Sequence, residues 1–231
     1  MGLDWNPLAR PKPGAEAEFD RLLAALVACT VERGPGLFAR MLPPRKLTKA
    51  ELTERRARFQ EISEPPFATL GAPRVGFDEA ADAWLRERLD KDGKLAEFEE
   101  TQRKMHGYYV LALLPPCDGF PRYTHGGMYE GVDRYSFRAK FLDDVETIIG
   151  SDLHAKAYTR MSAGQLAAYA DELDAEARPW AARAGVAHIE HATEAPASGE
   201  DDPASQADIL FSAIRWCRFW ASRGHGLEPW Y

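Results

Sequence analysis

Three cysteines in 231 residues, Cys29, Cys117 and Cys217, are odd in number and widely spaced, and no C-x-x-C occurs. That excludes a disulfide framework and a cysteine-based zinc site. A reducing compartment is the simplest setting, and a cytoplasmic location is expected. The opening stretch MGLDWNPLARPKPG lacks the apolar segment of a signal peptide. Asn6 stands where a myristoylation motif needs Ser or Thr. No apolar run approaches the roughly 20 residues of a membrane span, so no membrane partner is expected. Basic charge is also scarce. Lys and Arg total 29 against 36 Asp and Glu, a net charge of -7. Nucleic acid, whose phosphates need a basic surface, is therefore not an expected partner. Neither G-x-G-x-x-G nor G-x-x-x-x-G-K-[ST] appears, so no phosphate-loop fold and no cofactor is expected. No repeat recurs at a period of about 20–50 residues.

What is present is an ordinary apolar fraction, 45%, enough to bury a core without staples. Residues 1–14 are Pro-rich and expected to be extended, with Leu3 and Trp5 packed onto the body. Phe19, Leu22, Leu23, Leu26 and Val27 follow helical spacing up to Gly34-Pro35-Gly36. Thr48-x-x-Glu51 is a capping-box pattern that opens a helix from Lys49 to Ile62. Asp78 is read as the cap of a helix over 79–90, with Ala80, Ala83, Trp84 and Leu85 inward. Asp92-Gly93 marks a turn, and another helical pattern runs from Leu95 to Met105. Residues 108–114 (YYVLALL) form a short apolar run that periodicity assigns to neither strand nor helix.

Ser136 reads as an N-cap, followed by the stripe Phe137, Phe141, Val145, Ile148 and Ile149 up to Gly150. Ser162 caps a long helix over 163–184, with Pro179 expected to kink or break it. Residues 193–206 are small, polar and acidic, an expected surface linker. A last helix over 205–223 is apolar nearly all round, with Asp208, Ser212 and Arg215 as its polar stripe, which marks a central helix. Together these patterns predict a mainly α protein. They describe an irregular multi-helix bundle in one domain over 1–231, with a central C-terminal helix, one long Pro/Gly/Tyr-rich loop and at most a short strand element.

That loop, 115–135, holds three prolines, four glycines and four aromatics. Long loops of this kind inside a domain are commonly functional. It feeds the expected helix start at Ser136, where unpaired N–H groups favour anions. Tyr123, His125, Tyr129, Arg134 and Arg138 are therefore the candidate binding residues for a small anionic ligand. In that site the tyrosines are walls, the arginines hold the charge and His125 supplies a proton or hydrogen bond. The alternative is a non-enzymatic, bacterial-style accessory, immunity or regulatory protein that offers the same aromatics to a protein partner. Glu130 and Asp133 could also neutralise the helix start without any ligand.

Other constellations carry less. His125-Gly126-Gly127 resembles the oxyanion segment of lipases and esterases. That segment works only beside a Gly-x-Ser-x-Gly elbow in an alternating α/β chain, and both are missing, so a hydrolase fold is rejected. His188 and His191, three apart, lack a further ligand cluster and the His-Glu-x-x-His pattern, so no metal is expected. Cys117 near His125 reads as a small side chain beside a turn rather than a nucleophile. The span 40–58 carries seven Lys/Arg against two Asp/Glu, and 171–202 carries nine Asp/Glu against two Arg. These opposite blocks suit pairing within the chain or between two copies of it.

Overall fold

The computed structural model describes residues 2–28, 46–114, 136–192, 196 and 202–230. Its contacts divide the chain into two compact units, Ala9–Pro65 and Met1–Leu8 with Pro66–Tyr231. The described residues are mainly helical, with eight α-helices and short two-stranded sheets among them.

In the Ala9–Pro65 unit, α1 (Glu16–Ala28) and α2 (Lys49–Ile62) pack together, and β2 (Arg10–Pro11) pairs antiparallel with β3 (Ser63–Glu64). The capping box forms as the sequence predicts. The Thr48 hydroxyl accepts from Glu51 N–H, and the Glu51 carboxylate accepts from Thr48 N–H at 2.9 Å. The rings of Phe19 and Phe59 meet at 4.7 Å. Arg58, one of the basic-run residues, forks across Glu18 of α1 at 2.8 and 2.9 Å and also pairs with Glu61. The buried stripe of α1 is narrower than expected: Phe19, Leu22 and Ala25 are buried, and Val27 is exposed.

In the other unit, β1 (Asp4–Pro7) pairs antiparallel with β4 (Leu227–Trp230), Asp4 opposite Trp230 and Pro7 opposite Leu227. Phe137 extends the ladder on the far side of β1, with Trp5 N–H donating to its carbonyl at 2.7 Å and the return bond at 2.9 Å. Met161 extends it beyond β4 by a bridge to Leu227. At this crossing Gly226 is obligatory, because a Cβ there would lie 2.1 Å from the Met161 carbonyl oxygen. His225 is fully buried and ties the turn before β4 to two segments. Its Nδ1–H donates to the Leu8 carbonyl at 2.8 Å, and Nε2 meets the Thr69 hydroxyl at 2.9 Å. Thr69 lies on α3 (Pro66–Leu70), a short helix within what reads from sequence as an irregular connector.

A smaller core gathers around α4 (Glu79–Lys91) and α5 (Phe98–Lys104), with Val75, Ala81, Leu85, Leu89 and Val110 buried. The inward stripe is Ala81, Leu85 and Leu89 rather than Ala80 and Ala83, which are exposed. Asp82 lies beside that stripe. Its carboxylate accepts from Gly76 N–H at 2.8 Å and from Gln102 at 2.7 Å. Asp78 occupies the N-cap position, but its carboxylate accepts from Arg74 N–H and caps no helical N–H. Tyr109 of the ambiguous run bridges Arg74, and a 3-10 turn follows at Leu111–Leu113.

Ser136 is not a helix cap. It is buried beside the Phe137–Trp5 ladder; a 3-10 segment spans Ala139–Val145, and α6 (Glu146–Lys156) follows. The stripe itself holds, with Phe137, Val145 and Ile149 buried and Phe141 and Ile148 packed against them. Gly150 ends the first helical stretch of α6 as expected: its φ 80°, ψ 156° is not helical, and a second stretch continues past this kink to Lys156. α7 (Ala163–Arg183) opens on a capping box between Ser162 and Gln165 and continues through Pro179 without breaking. Pro179 carries no N–H, so the ladder lacks one i→i−4 bond there while the helix runs on to Arg183. α8 (Pro203–Ala221) starts two residues before the sequence reading, with Asp202 accepting from Ala204 N–H at 2.8 Å. The end of the expected acidic linker is thus helical, and most of the rest of it lies outside the described residues. Asp208 and Ser212 are buried instead of forming a polar stripe, which makes α8 the central helix on every side. No described helix is long and apolar enough to cross a membrane.

Trp5 sits at the centre of this core. Its ring lies 5.0 Å from Phe137, 5.6 Å from Trp216 and 6.0 Å from Tyr169, and its Nε1–H donates to the Ala157 carbonyl at 2.8 Å. Replacing Trp5 with Ala opens a cavity and orphans that carbonyl. The expected loss is about 3–5 kcal/mol, read from urea unfolding followed by far-UV circular dichroism. A loss under about 1 kcal/mol would show that the ladder does not depend on it.

Candidate functional site

Of the five residues singled out from sequence, Tyr123, His125, Tyr129 and Arg134 lie outside the described residues, as does Cys117. Arg138 is described. It sits just before the 3-10 segment, and its Nε lies 3.1 Å from the Asp4 Oδ1 in an ion pair. That carboxylate is nearly buried at the start of β1, and this contact lacks hydrogen-bond geometry. Arg138 therefore helps neutralise a buried acid beside β1, and no α-helix begins at Ser136 to lend it a dipole.

The described residues do form a cleft of about 390 Å³ between α7, the 3-10 turn Ala187–His191 and α8. Phe211 and Ile214, one turn apart on α8, make an apolar floor. Charged groups of both signs surround it. Asp174 has both oxygens engaged: Arg178 Nε donates to them at 2.8 and 2.9 Å, and Arg218 Nη2 reaches Oδ2 at 3.1 Å. Arg218 Nη2 also donates to Asp171 at 2.9 Å. Both of these bonds use one nitrogen, so Nε and Nη1 are outside them. Arg178 Nη2 pairs with Glu190 Oε1 at 2.7 Å, with Oε2 outside that pair. Arg215 is fixed by the Glu190 carbonyl and the Ser212 hydroxyl, each at 2.9 Å, and lies 4.0 Å from buried Asp208. His191 stands on the rim. The hydrogen bonds that Arg218 donates to Asp171 and Asp174, with the charges of both, favour the protonated guanidinium, whose pKa is raised although partial burial opposes this.

This arrangement can hold a small charged molecule against an apolar surface. It presents no complete catalytic set: Cys217 is fully buried, and burial pushes its thiol far above the ordinary range, so it is no nucleophile at neutral pH. No group of three His, Cys, Asp or Glu among the described residues could hold a metal. Sequence reading reached parts of the cleft but assigned them elsewhere, His191 to a histidine pair and Arg215 to the polar stripe of the last helix. The available signal was the facing spacing of Asp171, Asp174 and Arg178 on one helix and Arg215 and Arg218 on another.

A second cluster straddles the Gly150 kink. The Asp143 carboxylate accepts from Lys140, meets His154 Nε2 at 2.9 Å and accepts from the Tyr158 hydroxyl at 3.3 Å. Glu146 lies 3.9 Å from the other ring nitrogen of His154. On the α4–α5 side, Phe77 and Tyr108 are 57% and 54% exposed, with the Arg74 guanidinium 4.3 Å from the Phe77 ring.

No protein-family model, no curated protein and no solved structure matches this chain.

Burial works to raise the Asp143 carboxyl, but the bonds from Lys140 and His154 outweigh it and hold it below its ordinary value. A depressed folded pKa contributes stability above the unfolded value, about 3.9, and loses it as pH falls through the folded value. Asp143→Asn should therefore be less stable at neutral pH and show a shallower loss of stability below about pH 4. Parallel acid limbs for the two proteins in urea titrations would refute the assignment.

Proposed function

We propose that this protein binds a small ligand carrying an anionic group, and that the cleft between α7 and α8 receives it. Arg218 is the anion's partner. The observation that carries the reading is that Arg218 spends a single nitrogen on Asp171 and Asp174 at the edge of an apolar floor. A guanidinium so placed can add a carboxylate without breaking existing pairs, since it offers five donors. The cleft falls at the small end of the ~300–1,000 Å³ range typical of ligand sites. The loop set of Tyr123, His125, Tyr129, Arg134 and Arg138 is a separate proposal. Of that set, the structure describes only Arg138, which is paired with Asp4.

The test is a ¹H–¹⁵N NMR titration of the whole chain with two small apolar carboxylates, 4-methylpentanoate and L-leucine. At least one should give saturable shifts at cleft residues, with affinity falling about tenfold or more in Arg218→Gln, the scale of a lost charge-assisted hydrogen bond. Exposed ion pairs contribute little to stability, so the variant should melt close to the parent. Unchanged affinity in Arg218→Gln, or no clustered shifts with either compound, would sink the reading.

The exposed Phe77 and Tyr108 beside Arg74 favour a second reading, a surface for a protein partner, because aromatics and arginine are favoured interface anchors. Sedimentation velocity gives the first check. Self-association that disappears in the Phe77→Ser, Tyr108→Ser double variant would support it; a concentration-independent monomer would count against a second copy as the partner.

A further inference from the structure

We infer that the cleft's ligand is a free α-amino acid with an apolar side chain. This rests on the reading of the cleft as an anion-accepting site and adds a cationic group to the ligand. The argument begins with charge balance. Arg218 stands at the same cleft as Glu190, Asp174 and His191. A purely anionic ligand would bring its charge against the Glu190 carboxylate, and like charges in a partly enclosed space repel strongly. An ammonium on the ligand converts that repulsion into a second ion pair.

Glu190 is the acid able to take it. Asp174 has both oxygens engaged by two arginines, whereas the Arg178 pair with Glu190 engages Oε1. The Glu190 position is also held firmly. Its carbonyl accepts from Arg215 on α8 while its side chain reaches Arg178 on α7. An acid fixed from two helices can recognise an ammonium with little ordering cost. Opposite it, Arg218 supplies unspent guanidinium donors for a carboxylate. Phe211 and Ile214 then set the third requirement, an apolar branch beside the two charges. A molecule with adjacent ammonium and carboxylate and an apolar branch meets all three, and the ~390 Å³ of the cleft has room for it.

Isothermal titration calorimetry on the whole chain, with four probes, tests this. L-leucine has both charges, 4-methylpentanoate and N-acetyl-L-leucine keep the anion without the ammonium, and L-leucinamide keeps the ammonium without the carboxylate. Leucine should bind about tenfold or more tightly than each of the other three, because every analogue leaves one charged partner unmatched. Glu190→Gln should erase the preference for leucine over 4-methylpentanoate while leaving the weaker affinity in place. If 4-methylpentanoate binds as tightly as leucine and still depends on Arg218, the amino-acid inference falls and the anion reading stands. If leucinamide matches leucine, or none of the four binds, both fall. Should Glu190→Gln fail to fold, the four-probe comparison on the parent protein still decides.

Discussion

The indole of Trp5 is the constraint on which the larger unit depends. It belongs to a strand four residues long, yet it touches Phe137, Tyr169 and Trp216 and hydrogen-bonds the Ala157 carbonyl. Those partners come from the segment before the 3-10 turn, from α7, from α8 and from the end of α6. A short strand cannot stand alone in water. Here one large aromatic side chain supplies the burial, and β4 and Phe137 saturate the backbone on either edge. With β1 seated this way, α8 is enclosed by α7 on one side and by the terminal strands on another, and its circumference is apolar for that reason.

An enclosed helix leaves few places for charge, and α8 shows where they are. Asp208 and Ser212 are buried next to Arg215, which anchors the turn carrying Glu190 and His191. One turn further, Arg218 emerges beside Asp171 and Asp174. The cleft is thus a by-product of how the central helix gets rid of its polar residues: they all leave through the side facing α7 and the 3-10 turn. The same packing that makes the core fixes the side chains proposed to meet the ligand.

Local chemistry was readable and long-range pairing was not. Thr48 with Glu51 and Ser162 with Gln165 announce helix starts, because a capping box is complete within four residues. The all-round apolar α8 was legible for the same reason, and so was the anchoring of Leu3 and Trp5. Ser136 misled because it has the composition of a cap while its neighbour Phe137 pairs with Trp5, over a hundred positions away in sequence and invisible to any window. Asp82 likewise bonds Gly76 and Gln102, partners that no short window connects to it. Residues 108–114 resisted assignment because their partner is a single bridge at Arg74. The cleft needed two helices side by side before Asp174 could be seen between two arginines, so the sequence pointed instead to a loop rich in reactive side chains.

The union of β1 with β4 has a consequence for how the molecule comes into being. Leu8 and His225, joined by a hydrogen bond, are 217 positions apart. At a synthesis rate of roughly 5–20 residues per second, β1 emerges about ten to forty seconds before its partner strand exists. Through that interval Trp5 has no Trp216 to rest on, and the strand edges have no β4. Contacts so distant also make closure slow once the chain is complete. The nascent chain must therefore carry an uncovered tryptophan and an open edge for most of its synthesis, so cooler or slower-crowded expression and the presence of holding chaperones should decide how much of it reaches the folded state.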